Sequence, residues 1–132
     1  MKHKAQSRER KRKESVNRDK ALQMLGMAQR AGAVSSGEFM TETSIKDGSA
    51  FLVIVASDAS DNTKKQFRNS CEYYNVPFRI YSDKVSLGHC IGKEFRASLA
   101  VVNEGLAIKI LDLLDEQQMD PQDERNKKDE VL

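Results

Sequence analysis

The clearest pattern in the chain is the run Phe51-Leu52-Val53-Ile54-Val55-Ala56, which is continuously apolar and rich in branched residues. A strand with one wet face would alternate, so this run predicts a central strand covered by helices on both sides. Upstream, Leu22, Leu25 and Ala28 recur at three-residue steps with Met24 and Met27 beside them. That spacing predicts a helix capped by Asn17 and ended at Ala31-Gly32. Ala33-Val34-Ser35 reads as a short strand, and Ser36-Gly37 as a turn into a second helix that closes at Asp47-Gly48.

Beyond the central strand, the polar stretch Ser57-Asp58-Ala59-Ser60 offers caps for a charged helix reaching Tyr74, with Phe67 and Cys71 spaced four apart on its inner side. Pro77 opens a strand over 78–81, Ser82 caps a short helix to Ile91, residues 97–102 read as another strand, and Asn103 caps a last helix through Leu114. Alternating strands and helices with such short connections predict an α/β fold. The expected architecture is a three-layer α/β/α sandwich around a sheet of about four strands.

The second helix carries two candidate faces. A helical wheel sets Glu38, Thr41 and Ile45 along one side, with Phe39, Met40 and Thr43 roughly opposite. If Thr41 and Ile45 face the sheet, Phe39 and Met40 become an exposed apolar pair suited to a partner or to a nucleobase. If Phe39 turns inward, both are ordinary packing.

Length and charge then divide the chain. Its 132 residues suit one domain. The net charge of +2 conceals an uneven distribution. Residues 1–20 hold nine Lys/Arg against three acids, residues 21–114 ten against ten, and residues 115–132 three against seven. From Asp115 the apolar period fades and Pro121 interrupts any helix. The expected organisation is therefore a basic, poorly ordered arm over 1–19, a folded domain over 20–114, and an acidic, poorly ordered tail over 115–132. A basic arm suits phosphate, or serves only as a solubilising tail or an extension of the first helix.

Other function classes find little support. No stretch reaches the ~18–20 apolar residues that cross a bilayer, and no secretory leader follows the basic start, so a cytoplasmic protein is expected. Cys71 and Cys90 make neither a CxxC pair nor a disulfide framework, and read as reduced thiols. GxxxxGK[ST] and GxGxxG phosphate loops are both missing. Gly88-His89-Cys90-Ile91-Gly92 ends a helix rather than opening one, which assigns its glycines to capping and close packing. Neighbours such as His89 and Cys90 diverge by about 100° on a helix, a poor start for a metal or nucleophile site. Neither enzyme chemistry nor a cofactor is implied.

The order of motifs resembles a known family, the kink-turn-binding ribosomal proteins of archaea and eukaryotes of the seven-Ae type, and above all their bacterial YlxQ-like members. The resemblance covers residues from about Lys20 to Leu114. It is carried by Leu25-Gly26-Met27-Ala28-Gln29-Arg30-Ala31-Gly32, by Ser36-Gly37-Glu38, and by the central strand with Ser57-Asp58-Ala59-Ser60-Asp61-Asn62-Thr63-Lys64-Lys65. Cys71-Glu72-Tyr73-Tyr74-Asn75-Val76-Pro77, Leu87-Gly88-His89-Cys90-Ile91-Gly92-Lys93-Glu94 and Ala100-Val101-Val102-Asn103-Glu104-Gly105 complete it.

The resemblance implies a sandwich that grips a sharply bent RNA with two neighbouring elements. The first is the glycine turn that opens the second helix, with Gly37, Glu38, Phe39, Met40 and Thr43 as its candidate contacts. RNA-binding relatives place Asn, Glu and Lys at the positions of Phe39, Met40 and Thr43, so here only Gly37 keeps the family pattern. The second is the loop after the fourth helix, with Ile91, Gly92, Lys93, Phe95 and Arg96, which supplies two cations and a ring for an unpaired base. Lys64, Lys65, Arg30 and Arg68 would widen the basic surface. The implied partners are structured ribosomal RNA and ribosome-associated proteins, bound by a monomer without turnover. The rival expectation is a protein-interaction adaptor on the same fold, its RNA face altered at Phe39, Met40 and Thr43.

Overall fold

A computed structural model of the chain describes residues 19–118. Nine elements follow one another: α1 (Lys20–Arg30), β1 (Val34–Ser36), α2 (Glu38–Lys46), β2 (Leu52–Val55), α3 (Asp61–Tyr74), β3 (Phe78–Ile80), α4 (Lys84–Cys90), β4 (Ser98–Val101) and α5 (Glu104–Gln118). The strands form one mixed sheet in the order β1-β4-β2-β3. β4 runs antiparallel to both β1 and β2, with Ala100 opposite Ser35 and Val53. β2 and β3 are parallel, with Ile54 opposite Arg79.

This order puts β2 and β4 in the centre, where every residue of both strands is buried. That is why 52–56 lacks alternation: helices cover both sheet faces, whereas Phe51, just before the strand, is 37% exposed and lies outside the expected cover. α1 packs on α4 and α5 in one layer, and α2 packs on α3 in the other. Leu25, Leu87 and Ile110 fill the first side and Ile45 and Phe67 the second, all fully buried. Removing any of these from water contributes roughly 1.5–3 kcal/mol. The expected three-layer sandwich is the observed architecture.

Several boundaries differ from expectation for local reasons. The expected cap Asn17 lies outside the described residues. The helix begins at Lys20, and Asp19 caps it by accepting from the Leu22 N–H at 3.1 Å. Asp83, not Ser82, caps α4, accepting from the Ser86 N–H at 2.8 Å. Ser82 instead takes a left-handed turn conformation (φ 62°), and its carbonyl accepts from the Ser57 N–H (2.8 Å) and hydroxyl (2.6 Å).

The last helix does not stop at Leu114 but runs to Gln118. Asp115 is held there by a two-pronged pair with Arg79, Nε to Oδ1 at 2.8 Å and Nη2 to Oδ2 at 3.2 Å. Residues 1–18 and 119–132, which hold most of the two expected tails, lie outside the described residues. No helix among the described residues is long and apolar enough to cross a membrane.

Candidate nucleic-acid interface

The two elements expected to face RNA meet at one end of the sheet. β1 and β4 pair antiparallel, with Ser36 opposite Leu99. The end of β1 and the start of β4 therefore lie side by side. Ser36 leads straight into α2, and the 92–96 loop leads straight into β4. Across this junction the Gly37 N–H donates to the Ser98 carbonyl at 3.0 Å. Deeper in, the buried Ser98 and Thr41 hydroxyls are 3.3 Å apart and satisfy each other.

Gly37 is the N-cap of α2 with φ 92° and ψ 162°, a conformation essentially confined to glycine. No side chain caps this helix. Its first-turn N–H groups, the positive end of the helix dipole, are left without an intrahelical acceptor. Thr41, Ser44 and Ile45 are the buried side of α2. Of the two faces open in the sequence, it is therefore the Thr41 face that packs inward. Phe39 is 78% and Met40 47% exposed. Thr43 is half-buried, and Glu38 is exposed. Phe39 walls a recess of about 330 Å³ shared with Glu38, Glu42 and Gln66. The Ser70 hydroxyl donates to Glu42 Oε1 there at 2.7 Å.

The second element depends on two glycines. Gly92 has φ 77° and leaves α4 by a left-handed turn. Gly88, inside α4, has no room for a side chain. A Cβ there would lie 2.5 Å from the Phe95 Cα and 2.7 Å from its N. The loop backbone thus rests on the helix, held by the Lys93 N–H donating to the Gly88 carbonyl (2.8 Å) and the Arg96 N–H donating to the Lys84 carbonyl (2.9 Å). Lys93 is exposed, and Phe95 is 58% exposed.

Two expected contacts depart from this picture. Ile91 is only 3% exposed, because the tight exit of α4 folds it into the protein, so it seats the loop and offers no contact surface. Arg96 is half-buried, and its guanidinium donates to the Ser36 hydroxyl (3.2 Å) and the Phe95 carbonyl (2.7 Å). The sequence places Ser36 in the turn but gives no sign of its bond to Arg96, since nothing local marks a partner sixty residues away. Of the flanking cations, Arg68 lies over the Phe78 ring at 5.6 Å.

The rest of the domain offers little reactive chemistry. Burial, with the nearby Glu42 charge, pushes the Cys71 thiol up to about 12. Burial, with the charge of Asp19, pushes Cys90 up to about 11. Both remain protonated thiols near neutral pH, poor nucleophiles and poor metal ligands. Among the described residues no three His, Cys, Asp or Glu side chains gather as a metal site would require.

The sequence profile of the ribosomal protein L7Ae/L30e/S12e/Gadd45 family matches residues 19–111. The chain belongs to this family. Within it, the RNA-binding protein YlxQ of Bacillus subtilis (strain 168) is 42% identical over 92 residues, covering 70% of this chain and 92% of that protein. The protein of the same name from Enterococcus faecium is 39% identical over 100 residues, 75% of this chain and 95% of its own length. Large ribosomal subunit protein eL8 of Thermoplasma volcanium is 31% identical over 87 residues, covering 65% of this chain and 72% of its own.

Solved structures give the same fold. A protein of unknown function from Bacillus halodurans C superposes with a TM-score of 0.71 at 34% identity, over 73% of this chain and 97% of that one. The Giardia lamblia 15.5kD RNA binding protein superposes with a TM-score of 0.63 at 20% identity, over 73% of this chain and 85% of its own, a likeness of fold alone.

Proposed function

We propose that the chain binds RNA without turnover, recognising a bent or looped, kink-turn-like segment of ribosomal RNA by its shape. The observation that carries this reading is the juxtaposition of an uncapped helix start at Gly37 with a cationic, ring-bearing loop at 92–96. The family relationship supports it, since two relatives are named as RNA-binding proteins. In this reading the free N–H groups of α2 meet a phosphate, as helix starts do. Lys93 neutralises a second phosphate, and the exposed rings of Phe39 and Phe95 stack on bases turned out of a helix.

Phe39 and Met40 lack the polar groups that read base edges, and Thr43 lacks the positive charge that would meet a phosphate, so affinity here comes from stacking, backbone contacts and the charge of the loop. The basic segment 1–18 adds salt-sensitive attraction. The protein acts as a monomer in the cytoplasm, on the ribosome or beside ribosome-associated proteins. The test is a pair of variants, Lys93→Glu and Phe95→Ala, titrated against a kink-turn RNA. Each should weaken binding by about tenfold or more, at ~1–3 kcal/mol for a lost stack. Unchanged affinity in both would remove the loop from the interface.

The exposure of Phe39 and Met40 favours a second reading, in which this end of the sheet is an adaptor surface for a protein. The same variants discriminate, because an adaptor would hold its partner when Lys93 is reversed and lose it when Phe39→Ser is made.

A further inference from the structure

The two elements of the proposed RNA face are anchored to the domain separately. The loop sits on α4 through the Gly88 and Lys84 carbonyls, and the turn sits on β4 through the Gly37 N–H and the Ser98 carbonyl. A side-chain hydrogen bond joins one to the other. Arg96 Nε donates to Ser36 Oγ at 3.2 Å, while Nη1 of the same guanidinium donates to the Phe95 carbonyl at 2.7 Å. Ser36 is the residue before Gly37, whose backbone aims the start of α2. Arg96 is the residue after Phe95, the ring of the loop. A single rigid plane therefore ties the aim of the helix start to the position of the ring.

The chemistry of this tie is specific to arginine. A planar guanidinium can donate to two acceptors in different segments with fixed geometry, whereas an ammonium on a flexible stem keeps the charge and loses the fork. The exposed Lys93 suits a simple phosphate contact better than the half-buried Arg96 does. We propose that Ser36 and Arg96 form a positioning pair that fixes the angle between the start of α2 and the 92–96 loop. Arg96 thereby supplies selectivity for bent over straight RNA rather than neutralisation of a phosphate. This rests on the RNA reading above. With the tie broken, the Gly37–Ser98 backbone bond still joins the strand ends, but the angle between the helix start and the loop is no longer fixed and the bent ligand must order it on binding. A straight duplex, held by charge alone, makes no such demand.

The test uses the full chain and the variants Ser36→Ala, Arg96→Lys and the pair together. First, without RNA, amide chemical shifts are compared. Each single variant should move resonances in both elements, Gly37 and Phe39 as well as Lys93 and Phe95, and the double variant should add little. Second, a kink-turn RNA and a plain duplex are titrated over a range of salt. Each single variant should lower the bent-to-straight affinity ratio by roughly tenfold, the double by no more, with the salt slope unchanged because the charge is unchanged in Arg96→Lys. Two results would overturn the pair: shifts confined to the element that was mutated, or Arg96→Lys keeping the ratio while Ser36→Ala is silent. If the unmodified chain shows no preference for bent RNA, the RNA reading fails. The shifts then decide alone whether Ser36 and Arg96 position the two elements.

Discussion

Among the described residues, helix starts are of two kinds. α1, α3, α4 and α5 each begin with a side chain that accepts from their own first turn: Asp19, Ser60, Asp83 and Asn103. α2 begins with Gly37 and no such side chain. A capped start has its orphan N–H groups satisfied from within, whereas an uncapped one leaves them for water or a ligand. Proteins tend to depart from local consistency where they function. Here the departure lies beside the exposed Phe39 and against the strand that carries the 92–96 loop.

The contrast can be broken most severely at the support of that loop. Gly88→Ala would drive a Cβ into the Phe95 and Glu94 backbone at 2.5–2.9 Å. Such overpacking should cost about 3 kcal/mol in urea unfolding. A loss within experimental error would mean that the loop does not rest on α4. Next comes the open start itself. Gly37→Ala forces a side chain into a glycine-only backbone conformation with open space around it, so strain alone should cost about 2 kcal/mol. RNA affinity should fall with it, because the first turn of α2 is re-aimed.

A closed start should behave differently. Ser60→Ala removes the acceptor of the Thr63 N–H and should cost about 1 kcal/mol of stability. RNA affinity should stay at its original value, and a parallel loss of binding would show that the face extends to α3. A further effect, absent at neutral pH, lies on the alkaline side. Folding raises the thiols of Cys71 and Cys90 from 9.0 to about 12 and 11, chiefly by burial. Their contribution is fully present below pH ~9 and is lost as pH rises through the folded values, because only the unfolded chain releases those protons. Burial also raises the Tyr81 hydroxyl, which acts in the same direction. Thermal stability should therefore decline steadily from about pH 9 upward. A flat profile would show that the thiols ionise freely in the folded state.

Much of the fold is legible in the sequence, because its signals are local. The 51–56 run needs no knowledge of its neighbours to be read as doubly covered, and Phe67 with Cys71 marks the inner face of α3 by spacing alone. α2 was ambiguous for a physical reason. Its buried side contains Thr41 and Ser44, polar residues that become tolerable only because of the contact with Ser98 and packing on the sheet, while its largest apolar side chain, Phe39, points outward. The cap of α4 lies one residue beyond the predicted Ser82 because Ser82 and Asp83 are both good caps locally, and the link to Ser57 draws Ser82 into the turn.

The candidate site divides along the same line. The glycines at 37, 88 and 92 can be picked out by eye. The bonds that make them a site cannot, since Arg96 to Ser36 and Arg79 to Asp115 join segments far apart in the chain. Ile91 reads as surface in the sequence because it stands at the exit of a helix, and its burial becomes visible only once the loop folds over it.

The central claim is that recognition belongs to the folded face around Gly37 and the 92–96 loop. It is tested most directly by titrating a kink-turn RNA and a plain duplex at two salt concentrations, with the full chain and with a chain lacking residues 1–18. A preference for the kink-turn that survives removal of that basic segment is the predicted result. Equal, salt-sensitive binding to both RNAs that vanishes with the segment would contradict it, and would leave the face around Phe39 as a surface for a protein.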